Sequence, residues 1–272
     1  MKKYIFILLI LLQGYAYTEE TSSSYLDFLQ KHSHFKQTGN HRLGEIEIVT
    51  DLKKISQIQD LEYKRLIESG VEPEVAKNWA CPGIAYTDPY LLILRDPVIF
   101  PNGKSGFFKR MVWKCTLNGE KPIAVLPIDQ KGRICLIKIW RHATGSWELE
   151  IPRGAPSSYE SPIKNALREL KEETGFIADR ILFLGSMNPD SGILSTNLDV
   201  FLAFSSKQIK SNLDENEIIS HVYCFNLNEL EQGIKNGFVE IQENKQSVKV
   251  PLRDPFLTFA LFQARIRNLL PS

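Results

Sequence analysis

Glu169 is followed by Glu172 and Glu173, three and four residues on. At about 100° per residue an α-helix would bring these carboxylates onto one arc, roughly a turn and a half long. Like charges at that spacing oppose the helix by roughly 0.2–0.5 kcal/mol per pair, so something must offset them. One arrangement is a solvated acidic face with Lys164 and Lys171 nearby, and charge pattern alone favours it. The other is a cation site. Arg168 can bond one of the carboxylates, and hard dications such as Mg²⁺ or Mn²⁺ suit clustered carboxylate oxygens.

The longer spacing reverses that preference. Gly154, five residues, Glu160, seven residues and then Arg168-Glu169-Leu170-Lys171-Glu172-Glu173-Thr174-Gly175-Phe176 match without a gap the Nudix box, GX5EX7REUXEEXGU, where U is bulky and apolar. Seven fixed identities make a chance match rarer than about one in a hundred thousand. Over these 23 of 272 residues the chain resembles the Nudix hydrolase superfamily. The resemblance implies an α/β fold, a Nudix-type α/β/α sandwich on a mixed sheet. It also implies hydrolysis of a nucleoside diphosphate linked to another moiety. In that reading Glu169, Glu172 and Glu173 hold Mg²⁺ or Mn²⁺, with Glu172 and Glu173 counted as catalytic and the Gly154 carbonyl as a further ligand. Arg168 orients the carboxylates, and Glu160 supports the loop or reaches the metal through water.

Residues outside the box narrow the likeness. Trp140, Arg141, Trp147, Glu148 and the run LEIPRG ending at Gly154 resemble ADP-ribose pyrophosphatase-like members, which implies phosphate contacts from Arg141 and Arg153. Pro189, Asp190, Ser191, Gly192 and Ile193 resemble a substrate loop after the box, with Gly192 as its contact, although the residue order departs from the usual one. In the DENE run at 214 to 217, Glu215 is the candidate general base and Glu217 its metal-side partner; a solvent-exposed acidic loop is the competing reading. The implied substrate is ADP-ribose or a related nucleotide sugar, cleaved to a nucleoside monophosphate and a sugar phosphate. Dinucleoside polyphosphates and a nucleotide-binding sensor without turnover are the alternatives. Related enzymes form homodimers through N-terminal strands, a role that residues 86 to 117 could serve.

The elements that must position this chemistry follow from periodicity. Ser161 and Pro162 open a helix over 162 to 174, with Ile163, Ala166, Leu167, Leu170 and Thr174 on the stripe that packs on a sheet. Further helices are expected from 52 to about 70, from Pro73, at 227 to 236 and at 255 to 269. Strands are expected at 45 to 49, 91 to 95, 107 to 117, 121 to 128, 133 to 140, 181 to 187, 198 to 204 and 219 to 225, with a turn at Pro101-Asn102-Gly103. Residues 17 to 40 read as a polar leader with one short helix at most. The expected division is a leader at 1 to 16, an extension at 17 to 105 and the box domain at 106 to 272.

Thirty-three Lys and Arg against thirty-two Asp and Glu leave no polyelectrolyte surface, so no nucleic-acid partner is expected. Lys2 and Lys3 before the apolar run 4 to 12, with Gly14 and Ala16 at small-residue positions, read as a secretory signal peptide cut after Ala16. The predicted location is therefore periplasmic or secreted. Membrane contact is expected only if the segment stays uncut as an anchor. Cys81, Cys115, Cys135 and Cys224 contain no CxxC pair, which argues against zinc; buried unpaired thiols are preferred over disulfides. Tyr86, Tyr90 and Phe100 read as core, and His142 as a turn residue near Gly145.

Overall fold

The computed structural model describes residues 17–36, 39–157, 160–209 and 219–270. The leader at 1 to 16 and the acidic run with Glu215 and Glu217 lie outside the described residues. Contacts divide the chain into two compact units: Met1–Gly119 with Ser191–Ser195, and Glu120–Asp190 with Thr196–Ser272.

In the first unit, helices α1 (Tyr17–Lys31), α2 (Leu52–Glu68) and α3 (Pro73–Trp79) accompany strands β1 (Glu47–Ile48), β2 (Gly83–Thr87), β3 (Leu91–Ile99) and β4 (Ser105–Trp113). β3 pairs β4 along its whole length and β1 and β2 over parts of it, all antiparallel. The turn of the β3–β4 hairpin needs Gly103, whose φ is 78° and whose N–H bonds the Phe100 carbonyl. β4 belongs to this sheet, and the compact unit runs to residue 119.

Residues 17 to 31 are not a loose leader. Tyr25 and Leu29, one helical turn apart, are buried with Leu92, Leu94, Val98 and Val112 of the sheet. A narrow apolar stripe among Ser, Thr and Gln disguises the docking face in the sequence. Tyr86 and Tyr90 are not core residues either; they are 49% and 81% exposed, Tyr86 on the edge strand β2 and Tyr90 in the turn between β2 and β3, where its N–H bonds Asp88. Phe100 packs half-buried against the core.

The second unit contains β5 (Ile123–Ile128), β6 (Ile134–Arg141), β7 (Ser146–Glu150), β8 (Arg153–Gly154), helix α4 (Pro162–Thr174), β9 (Phe176–Met187), β10 (Leu198–Gln208), β11 (Ile219–Phe225), α5 (Leu227–Asn236), the hairpin β12 (Phe238–Glu243) and β13 (Gln246–Pro251), and α6 (Pro255–Ile266). Seven strands form one mixed sheet in the order β11-β6-β5-β10-β9, with β7 on β6 and β8 on β5. Only β10 and β5 run parallel; the other pairs are antiparallel. Alternation along β5 sends its side chains to two cores. Ile123 and Val125 pack with Ala166 and Leu170 of α4. Ala124, Leu126 and Ile128 pack with Phe256, Leu257, Ala260 and Leu261 of α6. The result is the α/β/α sandwich expected from the sequence.

Cys135 and Cys224 are joined as a disulfide, contrary to the expectation of unpaired thiols. They are direct partners in the antiparallel register of β6 and β11, which brings their Cβ atoms together. A strand-pairing register cannot be read from cysteine spacing. Cys81 is buried, with its thiol donating to the Lys77 carbonyl; Cys115 is exposed and outside the disulfide. Among the described residues no helix is long and apolar enough to cross a membrane.

Candidate active site

Helix α4 has the boundaries its sequence predicts. The Ser161 side chain accepts from the Lys164 N–H, Pro162 occupies the first turn, and Gly175 closes the helix at φ 72°. Ala166, Leu170 and Thr174 are buried on the sheet side, while Ile163 is exposed and Leu167 half-buried. Asn165, also buried, accepts from the Ser157 N–H and ties the preceding loop to the helix.

The burial of the glutamates decides between the two readings of the acidic cluster. A solvated face would leave all three in water, yet Glu169 is 7% and Glu173 2% exposed. Only Glu172 is half-exposed. A buried carboxylate costs several kcal/mol, roughly, unless it is paired or bonded. The pairing is carried by Arg168, whose guanidinium reaches Glu169 at 2.8 Å, Glu172 at 2.7 Å and Glu160 at 3.2 Å. Burial opposes the charge on Arg168, but Glu169 and Glu172 outweigh it and raise its pKa. Glu173 accepts the Arg153 backbone N–H at 3.0 Å.

Gly154 on β8 faces Glu169 so closely that a Cβ there would land on the Glu169 carboxylate. The glycine is thus required by close approach, and it brings a backbone strand against a buried carboxylate. Beside it, Glu150 gathers two arginines. One oxygen accepts from Arg141 at 2.6 and 2.9 Å and from Arg153 at 2.7 Å. For Arg141, burial disfavours the charge, yet Glu150, then Glu173 and Asp254, raise its pKa overall.

Across this group, Glu150, Glu160, Glu169, Glu172 and Asp254 face three guanidiniums, those of Arg141, Arg153 and Arg168, and Glu173 adds a further carboxylate on the Arg153 backbone N–H. Formal negative charge exceeds positive charge in a partly buried place. All the donors are hard oxygens, and a carboxylate is cradled against backbone at Gly154. Such a donor set fits Mg²⁺ or Mn²⁺.

The structure therefore brings together Gly154, Glu160, Arg168, Glu169, Glu172 and Glu173, with Arg141 and Arg153 alongside. The segment with Gly192 groups with the first unit, where the Met111 N–H bonds the Ile193 carbonyl and the Ser195 N–H bonds the Met111 carbonyl. Glu215 and Glu217 lie outside the described residues. Arg133 pairs with Asp129 and Lys138 with Glu243. Glu148, in the middle of β7, pairs with Arg253. Two members went unread in the sequence. Glu150 sits inside the LEIPRG run, and Asp254 precedes Pro255 as the N-cap of α6, a visible Asp-Pro helix start whose reach into the site was not.

A model of the NUDIX domain matches residues 121–243. An ADP-ribose pyrophosphatase of Bacillus subtilis is 33% identical over 126 residues, spanning 46% of this chain and 65% of that protein. A methanol dehydrogenase activator of Bacillus methanolicus is 30% identical over 126 residues, with the same shares. The chain thus spans less than two thirds of the length of either relative. A crystal structure of an ADP compounds hydrolase superposes with a TM-score of 0.51 at 21% identity, covering 68% of this chain and 89% of that one; at that identity it shares the fold.

Proposed function

We propose that this chain, whose residues 121–243 match the NUDIX domain, is a pyrophosphohydrolase acting on ADP-ribose or a related nucleotide sugar. The observation that carries the reading is the burial of Glu169 and Glu173 on α4, against Gly154 and beside Arg168. The name of the Bacillus subtilis relative supports the substrate class.

Glu169, Glu172, Glu173 and the Gly154 carbonyl would hold the divalent cation, Mg²⁺ or Mn²⁺. Bound there, it would neutralise crowded phosphate oxygens and lower the pKa of a water. The chain's own groups do the rest. Arg168 keeps three glutamates turned together by its bonds to Glu160, Glu169 and Glu172. Arg141 and Arg153, fixed side by side on Glu150, offer their remaining N–H donors to phosphate oxygens. Glu215 is assigned the proton from the attacking water and Glu217 the support of the cation. The products are a nucleoside monophosphate and a sugar phosphate.

Purified full chain incubated with ADP-ribose and Mg²⁺ or Mn²⁺ should release AMP. Glu173→Gln should slow that release by about three orders of magnitude with the fold retained. Intact ADP-ribose that binds but is never cleaved by the wild type would point instead to a sensor.

Export belongs to the same proposal. The disulfide between Cys135 and Cys224 supports an oxidising compartment, and N-terminal sequencing of fractionated cells should find a start at Tyr17. A homodimer is proposed as well, with exposed Ile84 and Tyr86 on β2 and Tyr90 after it as apolar surface for pairing; sedimentation should give twice the chain mass.

A further inference from the structure

The geometry points to Asp254 and Phe256, at the start of α6 and beyond the matched domain, as positioning residues that hold Arg153 and, through its backbone N–H, Glu173. The inference rests on the reading of Glu173 as part of a pyrophosphohydrolase site.

A helix cap needs little. An exposed Asp accepting one first-turn N–H would suffice. Asp254 does more, and at greater cost, since its side chain is 0% exposed. One oxygen accepts the Phe256 N–H at 3.0 Å and lies 3.7 Å from the Arg153 guanidinium. The other accepts the Ile151 N–H at 3.0 Å, across 103 residues of sequence. The Phe256 ring lies under the same guanidinium, 4.7 Å from centroid to Cζ.

The short segment between β7 and β8 is therefore clamped on several sides. Asp254 fixes its backbone at Ile151, Glu150 and Asp254 flank the Arg153 side chain, and Phe256 fills the face of that side chain. The backbone N–H of Arg153 then donates to Glu173 at 3.0 Å. The clamp has a rigid base, because Phe256, Leu257, Ala260, Leu261 and Ala264 of α6 are buried. A displacement of the α6 start would move Arg153, and with it the donor that orients Glu173. Positions so held govern rate through errors well under a bond length.

The test compares Asp254→Asn, Arg153→Ala and the double variant in the full chain. Asp254→Asn keeps the shape and an acceptor oxygen but removes the charge facing Arg153. It should lower kcat/KM for ADP-ribose by about tenfold or more, Arg153→Ala by at least as much, and the double variant no further than Arg153→Ala alone. Amide hydrogen exchange supplies a readout independent of turnover. At Ile151 and Arg153 it should quicken about tenfold in Asp254→Asn, while amides of β5 and the middle of α4 keep their protection. Should Asp254→Asn not fold, Phe256→Leu, which removes only the ring face, is expected to show the same coupling to Arg153→Ala. Losses that multiply in the double variant, or unchanged exchange at Arg153, would overturn the proposal and leave Asp254 a helix cap. If the wild type itself cleaves no diphosphate, the hydrolase reading fails, and the exchange at Arg153 alone decides whether the clamp exists.

Discussion

Two charge networks, one in each unit, are built to opposite ends. In the first unit Asp96 on β3 accepts from Tyr25 of α1 and from two nitrogens of Arg110 on β4, and Arg110 also donates to the Phe35 carbonyl. One carboxylate meets one guanidinium, and the remaining valences go to a hydroxyl and a carbonyl. Burial and Asp96 hold the Tyr25 hydroxyl far above its ordinary pKa, so it stays a donor. In the second unit Arg168 is shared among Glu160, Glu169 and Glu172, while Glu173 has the Arg153 backbone N–H. The first network is closed and serves to dock a helix on a sheet. The second carries an excess of carboxylate, an arrangement that stability alone would not select.

The contrast can be broken most forcefully at Glu173. Glu173→Gln should cost about 10³-fold in turnover while thermal stability holds or rises, because a crowded negative charge is removed. In the closed network the consequences should invert. Arg110→Met leaves Asp96 buried without its cation and should lower stability by about 3–5 kcal/mol, read from urea denaturation, with KM for ADP-ribose unchanged. A loss of turnover without a loss of stability there would erase the distinction.

Reduction of the disulfide comes next. It joins residues 89 apart in sequence and ties edge strand β11 to β6. A dithiol should therefore destabilise the protein by about 2–5 kcal/mol, seen as a lower melting temperature, and Cys135→Ala/Cys224→Ala should melt low with or without reductant.

The smallest effect concerns Asp254. Burial, opposed by Arg153 and reinforced by Glu150, pushes its pKa from 3.8 up to about 6; Arg141 also feels its charge. The folded state then binds more protons than the unfolded chain between those values. Its contribution to stability is complete below pH 3.8, falls as the pH rises towards about 6 and is flat above. Urea midpoints from pH 4 to 7 should show that fall in the wild type, superposed on other carboxylates, and a shallower one in Asp254→Asn.

Local signals were legible where one residue type sufficed. The start and end of α4 follow from Ser161-Pro162 and Gly175, and α5 spans Leu227–Asn236 as its periodicity predicts. The acidic cluster could be located, but its burial could not. Whether Glu169 and Glu173 face water depends on β8 arriving beside them, and Gly154 admits that approach only in the folded chain. Pairing across strands was hidden for the same reason: nothing in the spacing of Cys135 and Cys224 reveals that β11 returns to lie on β6. Helix α1 is concealed because Tyr25 and Leu29, buried on the sheet, sit a turn apart in a segment otherwise rich in Thr, Ser and Glu. The Asp254-Pro255 pair is a helix-start signal, whereas the Ile151 N–H that Asp254 also accepts is 103 residues away.

Calorimetric titration of Mn²⁺ into the wild type and into Glu169→Gln/Glu173→Gln, at pH 7.5 and without substrate, tests the central claim most directly. An acidic cluster built to hold dications predicts saturable binding by the wild type and its weakening by at least about 100-fold in the double variant, with both proteins melting at similar temperatures. Equal binding by the two proteins, or none by either with ADP-ribose present as well, would contradict it.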